Sequence, residues 1–178
     1  GDNGAEASIM TILPVLALFA EISYSDADVD QKVSDKLKAL TGYDTADFMT
    51  LCSLNRTTQT EPIVPHNNRA KYLFFQDPLM GLFDYHVLSS FPAHYAACSK
   101  TLDALASRGE KLSYVFDTLA KLSSVLELKC DLGVRLKAAY DADDKPALLQ
   151  LADEVIPELL ARFDTYYEAF RKQWYKES

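Results

Sequence analysis

The chain has 178 residues, 48% apolar and 11% aromatic, enough for one domain that buries roughly two-thirds of its unfolded surface; this excludes an intrinsically disordered polypeptide. A formal net charge of -8 excludes a general nucleic-acid surface, because neutralising phosphates needs clustered Lys and Arg. Cys52, Cys98 and Cys130 are odd in number and outside any CxxC spacing, so neither a disulfide framework nor a zinc site is indicated, and buried free thiols are expected.

Residues 9 to 22 form the most apolar run, shorter than the roughly 20 residues of a membrane span and with no basic segment ahead of it. It reads as a buried helix with no membrane partner, and a cytoplasmic location is the expectation. Helical character runs from Glu6 to Ser23, with Ile9, Leu13, Leu16, Phe19 and Ala20 on one face. Pro14, inside this run, should kink the helix or mark the end of a first turn, so the helix proper is predicted to begin near Ile12.

A second helix is predicted from Asp28 to Leu40, with Gly42 as a left-handed C-cap. A short third helix follows, with Thr45 as its N-cap and Phe48, Leu51 and Cys52 inward. Asn55 to Asn68, with Pro62 and Pro65, reads as an irregular connection. The aromatic stretch KYLFFQDPLMGLFDYHVL is broken by Asp77-Pro78 and Gly81, predicting short helical turns and allowing a strand at Tyr72 to Phe75. Phe91 to about Ser107 is helical, with Tyr95, Cys98, Leu102 and Leu105 in register and Arg108-Gly109 ending it.

Two long helices are predicted to finish the chain. Glu110 to Asp141 carries Leu112, Phe116, Leu119, Leu122, Leu126, Gly133, Leu136 and Tyr140 on one stripe, about 45 Å long at 1.5 Å per residue. Lys145 to Lys176 carries Leu148, Leu151, Val155, Leu159, Phe163, Tyr166, Phe170 and Trp174, with Pro146 in the first turn and Pro157 bending it. The short DADDK connection makes the pair antiparallel, as in a bundle, and Gly133 would let another element approach.

Asp26, Asp28 and Asp30 alternate as in a calcium loop, but the glycine and terminal glutamate of that geometry are missing, so a solvated helix N-terminus is the reading. Asp141, Asp143 and Asp144 fit an interhelical turn and N-cap. His66, His86 and His94 lie on different elements with no ligand-like spacing, so no metal is expected. Asp153-Glu154, the adjacent Asp-Glu of the chain, sits on a long helix where the two side chains diverge by about 100° and face solvent. No catalytic residue and no cofactor are expected, and on the residues alone an independent helical interaction module, grooved for a partner helix, is one reading.

The opening GDNGAEASIMTILPVLALFAE resembles the last strand-to-helix junction of the barrel of glycoside hydrolase family 20, the β-N-acetylhexosaminidases, in the bacterial single-chain branch related to hexosaminidase D. DPLMGLFD at 77–84, LELKCDLGVRLKAAYDADDK at 126–145 and RFDTYYEAFRKQWYKES at 162–178 are similar to the helical C-terminal domain of the same branch. The resemblance implies an all-α helical bundle with two long antiparallel C-terminal helices over residues 25–178, preceded in residues 1–24 by the last junction and helix of a catalytic TIM barrel lying ahead of Gly1. It implies that Asp2, at the barrel rim, accepts hydrogen bonds from hydroxyls of the terminal sugar, with capping of the following helix as the plainer role. It further implies that the parent removes terminal β-linked N-acetylglucosamine or N-acetylgalactosamine with retention, the substrate's own acetamide acting as nucleophile, on an Asp-Glu pair of an earlier strand. The fragment itself is then expected to be inactive. The barrel domain of the same polypeptide and the glycan are the implied partners, a homodimer interface is a further option, and an apolar patch on the Ile9 to Ile22 helix is expected to be exposed or covered by a second copy.

Overall fold

The computed structural model describes residues 8–24, 27–57 and 68–178, and over these the chain is all α-helical. A 3-10 turn Ile9–Ile12 leads into α1 (Leu13–Tyr24), followed by α2 (Val29–Thr41) and α3 (Thr45–Met49). Then come α4 (Arg69–Phe75), α5 (Phe91–Ala106), α6 (Ser113–Lys129), α7 (Leu132–Asp141), α8 (Lys145–Gln150) and α9 (Ile156–Glu177). The irregular connection predicted over Asn55 to Asn68 falls largely on residues 58–67, outside the described residues.

The core is built around α6, where Val115, Phe116, Leu119, Leu122, Val125 and Leu126 are all buried because α4, α5 and α9 close on different sides of it. From α5, Tyr95, Cys98, Leu102 and Leu105 enter this core in the predicted register. Against α9 the pairing is antiparallel: Arg162 donates to the Ser124 carbonyl, Thr118 to the Ala169 carbonyl, and the Lys176 ammonium lies 4.6 Å from the Tyr114 ring centre. Tyr43, fully buried, stacks on Phe116 and donates to the Leu105 carbonyl, which ties the α2–α3 connection to the same core.

Glycine acts where geometry requires it. Gly42 ends α2 at φ 82°, its N–H bonded to the Lys38 carbonyl, as its place after Thr41 predicts. Gly133 does the predicted work of close approach: a Cβ there would sit 2.7 Å from the Pro78 carbonyl oxygen.

Several expectations are corrected. The helix predicted from Glu110 to Asp141 is two, broken at Cys130 and Asp131, where Asp131 takes φ -114°, ψ 5°. The break coincides with contacts that no helix pattern encodes: Lys129 donates to the carbonyls of Leu73 and Gln76, and the Pro78 segment seats on Gly133. It also shifts the stripe, so that Ala139 is buried and Tyr140 is 77% exposed. In the last helix a π-turn at Leu151–Val155 precedes Pro157; the wide turn absorbs the missing N–H and the ring where a simple bend was predicted. Gln173, rather than Trp174, takes the inner position at its end.

The N-cap of α3 is Asp44, not Thr45. Its carboxylate accepts from the Asp47 N–H while Asp47 accepts from the Asp44 N–H, satisfying two otherwise orphaned donors. Tyr72 to Phe75 lies in α4 rather than a strand, capped by Asn68. Phe48 and Leu51 are buried as predicted but Cys52 is exposed, since the chain tightens into a 3-10 turn at Thr50–Asn55 and rotates it outward.

Candidate functional site

Among the described residues no group of acids, histidines and cysteines converges as metal ligands. His94 holds α5 to the 3-10 turn, its Nε2 lying 2.9 Å from the Ser53 carbonyl oxygen and 3.4 Å from Cys98 Sγ. His86 stacks on Tyr85, and His66 lies outside the described residues. Burial pushes the Cys98 thiol up, and burial followed by the Asp131 charge pushes Cys130 to about 12, so both thiols are held protonated and poorly nucleophilic. Asp153 and Glu154 are exposed, as their helical placement requires. Asp144 caps α8 by accepting from the Ala147 N–H at 3.1 Å, and Asp30 sits in the first turn of α2. Asp2 and Asp26 lie outside the described residues.

The candidate site is instead the surface built by the start of the chain. Ser8 is buried and caps the first turn, its hydroxyl oxygen accepting from the Met10 N–H at 3.0 Å and its own hydrogen going to the Glu177 carboxylate. From there α1 lies on α2, and Met10, Leu13 and Ala17 pack partly buried against the core. Spacings of three and four carry that inner face on to Glu21, which is buried and paired with Lys36.

The opposite face of α1 has the reverse chemistry. Val15 is 66% exposed, Phe19 75% and Ile22 62%, an apolar surface on a helix whose one charge points inward, and Ile9 of the preceding 3-10 turn is 66% exposed. The inner face thus differs from the predicted set of Ile9, Leu13, Leu16, Phe19 and Ala20, while the exposed apolar patch is as expected. Beside it a groove of about 720 Å³ is lined by Leu13, Leu16, Leu40 and Leu112, together with Lys111 and Lys176. Periodicity did not identify Glu21 as an inward residue. The available signal was its position four after Ala17 and eight after Leu13.

A second apolar surface lies between α4 and α5, where Leu79, Met80, Leu82 and Tyr85 stand exposed on the segment that Gly133 seats. Asp84 steadies that segment by accepting from the Gln76 side chain at 2.6 Å. Among the described residues no helix is long and apolar enough to cross a membrane.

Compared with known families, residues 46–178 match the family described as the glycoside hydrolase 20C C-terminal domain. No curated protein matches the chain.

Proposed function

The chain belongs to the glycoside hydrolase 20C C-terminal domain family, and from that premise we propose that it is a non-catalytic helical domain docked, through the outer face of α1, on the catalytic domain of the same polypeptide. The observation that carries this reading is the inverted helix: α1 turns Glu21 into the domain and leaves Val15, Phe19 and Ile22 to be covered from outside. A surface of this kind is rare on a free monomer and common where two bodies meet. Family membership favours the catalytic domain over a second copy or an unrelated partner helix as the covering body.

In this reading the parent is an exo-β-N-acetylhexosaminidase that removes terminal N-acetylglucosamine or N-acetylgalactosamine. The substrate's acetamide carbonyl attacks the anomeric carbon while an acid of the catalytic domain protonates the leaving oxygen, so the bond-breaking groups lie outside this chain. Its own contribution is Asp2, whose carboxylate accepts hydrogen bonds from hydroxyls of the terminal sugar at the rim of the barrel. Binding of this sort acts through orientation, since a well-placed sugar converts the attack into an effectively unimolecular step.

The test is turnover of a chromogenic β-N-acetylglucosaminide. The full-length polypeptide should cleave it and the 178-residue chain alone should not; cleavage by the isolated chain would overturn the proposal.

A further inference from the structure

We infer that the groove beside α1 receives an amphipathic helix of the catalytic domain, held by an apolar stripe and by carboxylates that pair with Lys111 and Lys176. This rests on the docking of α1 proposed above and names the chemistry of the body that covers it.

The groove has a volume of about 720 Å³, within the range of roughly 300–1,000 Å³ that binding pockets occupy. Its apolar walls include Leu16 and Leu40, which are 53% and 71% exposed. Its polar groups are few, and most are committed. Thr41 is buried, its hydroxyl donating to the Leu37 carbonyl at 2.7 Å and accepting from the Tyr43 N–H at 3.2 Å. The Tyr114 phenol bonds Glu177, whose carboxylate also takes the Ser8 hydroxyl. Two ammoniums are left to meet an incoming group. Lys111 and Lys176 both line the groove and are exposed, and among the described residues neither pairs with a carboxylate. Lys176 lies 4.6 Å from the Tyr114 ring centre, and Glu110, next to Lys111, has its side chain against Gly42.

The occupant follows from this inventory. Two of the walls are the helices α1 and α2, whose backbone groups bond internally, so an extended segment would find no ladder there and would bury unpaired amides. A helix satisfies its own backbone and brings only side chains. Along the start of the chain the lining runs from Met10 through Leu13 to Ala17, a span on the order of 10 Å, or two helical turns. Apolar residues at i, i+3 or i+4 and i+7 of a partner helix repeat over the same length. Covering two ammoniums without partners would forfeit their hydration, so the helix carries Asp or Glu beside its apolar stripe. The chain's net charge of -8 gives an acidic partner no general attraction, so the two lysines confine the pairing to this groove and set its register. Leu13, Leu16 and Ala17 of α1 are walls of the groove, so a body that covers Val15 and Phe19 already stands beside it.

The experiment uses the full-length polypeptide. A carbodiimide joins a carboxylate to an amine only where the two are in direct contact, and mass spectrometry identifies the linked peptides. Mixing isotopically heavy and light protein separates links within one polypeptide from links between two. We expect Lys111 or Lys176 joined, within one polypeptide, to an Asp or Glu of the catalytic domain that has apolar residues three, four or seven positions away. No link at either lysine, links confined to carboxylates of the 178 residues, or links only between heavy and light copies would each overturn the inference, the last by giving the groove to a second copy. The second arm is Lys111→Glu/Lys176→Glu. Losing two exposed ion pairs and gaining like charges in their place should speed cleavage by proteinase K within α1 about tenfold at low salt, and much less at high salt. Lys172→Glu, on α9 outside the groove, is the control and should leave the rate unchanged. A double variant cleaved at the wild-type rate at low salt overturns the inference. Phe19→Asp separates the two claims. If it speeds cleavage and the lysine variant does not, the docking of α1 stands and the groove inference falls; if neither does, both fall.

Discussion

Replacing Phe19 with Asp should discriminate between the helical domain alone and the domain in its parent. Phe19 is 75% exposed on the outer face of α1. Fully burying a phenylalanine side chain contributes about 1.5–3 kcal/mol, so some three-quarters of that, about 1–2 kcal/mol, remains to be gained when a second body covers it. Asp adds a carboxylate to a surface with no cation beside it on α1, and burying an unpaired polar group costs about 1–3 kcal/mol more, with a charge at the upper end or beyond. The full-length protein should therefore lose several kcal/mol of domain-docking free energy, whereas the isolated chain should change by about 0.5 kcal/mol or less, as surface substitutions do. Urea unfolding of both chain lengths, with limited proteolysis of the α1 region as a second readout, measures the difference. Leu122→Ala is the control: Leu122 is 1% exposed in the core of α6, and its truncation should cost about 2–5 kcal/mol in either context. Equal losses for Phe19→Asp in both chain lengths, or none in the longer, would refute the docking role of this face.

Three further outcomes follow from the packing and the titrating groups. Gly133→Ala brings a Cβ to 2.7 Å from the Pro78 carbonyl oxygen and 3.2 Å from Asp84 Oδ1; overpacking of about 1–3 kcal/mol then outweighs a helix-propensity gain of at most about 1, and the urea midpoint should fall. A stabilised Gly133→Ala would mean that the Pro78 segment does not seat there. Asp44→Ala removes the reciprocal cap of α3 and should cost about 1 kcal/mol, while Asp44→Asn should stay within a few tenths of wild type by the same measurement. Cys130, raised to about 12 by burial, is protonated in the folded chain at pH values where the unfolded thiol, at about 8.5, has ionised. Because the folded state then binds more protons, its contribution is complete below about pH 8.5 and declines towards pH 12, by up to about 1.4 kcal/mol per pH unit. Cys130→Ala should flatten that part of the alkaline limb; an unchanged slope would show that Cys130 does not control it.

How much of the bundle could be read in advance depends on where the deciding contact lies. Tyr95, Cys98, Leu102 and Leu105 are inward because their spacing alone sets one face of α5, and Gly42 ends α2 because only local backbone geometry is involved. Tyr140 and Trp174 are outward although their stripes point inward, for a different reason in each case. In α7 the phase is reset by the break at Asp131, whose determinants are carbonyls of residues 73, 76 and 78, more than fifty positions away. In α9 the inner positions Leu159, Tyr166 and Gln173 recur every seven residues, and a helix in close antiparallel contact follows that repeat, which turns position 174 out of the seam. Register within an element is local information, whereas a break or a seven-residue repeat is imposed by the neighbour.

The candidate docking face was legible to a similar degree. Between Ile9 and Tyr24 the sequence contains one charged residue, Glu21, and a helix apolar nearly all round is one that expects burial on more than one side. Composition alone could not say which side belongs to the domain, because Leu, Ile, Val and Phe fill every face. Glu21 decides it once Lys36 of α2 is placed opposite: the ion pair satisfies the charge at the inner face and leaves the outer face without one. A helix selected only for an isolated domain would have its charge outward and Phe19 inward, since each exchange would remove apolar surface from water at no cost in pairing. The observed orientation has the opposite sign at both residues, and on the proposed docking a second body covering Val15, Phe19 and Ile22 would take that surface out of water and offset the difference.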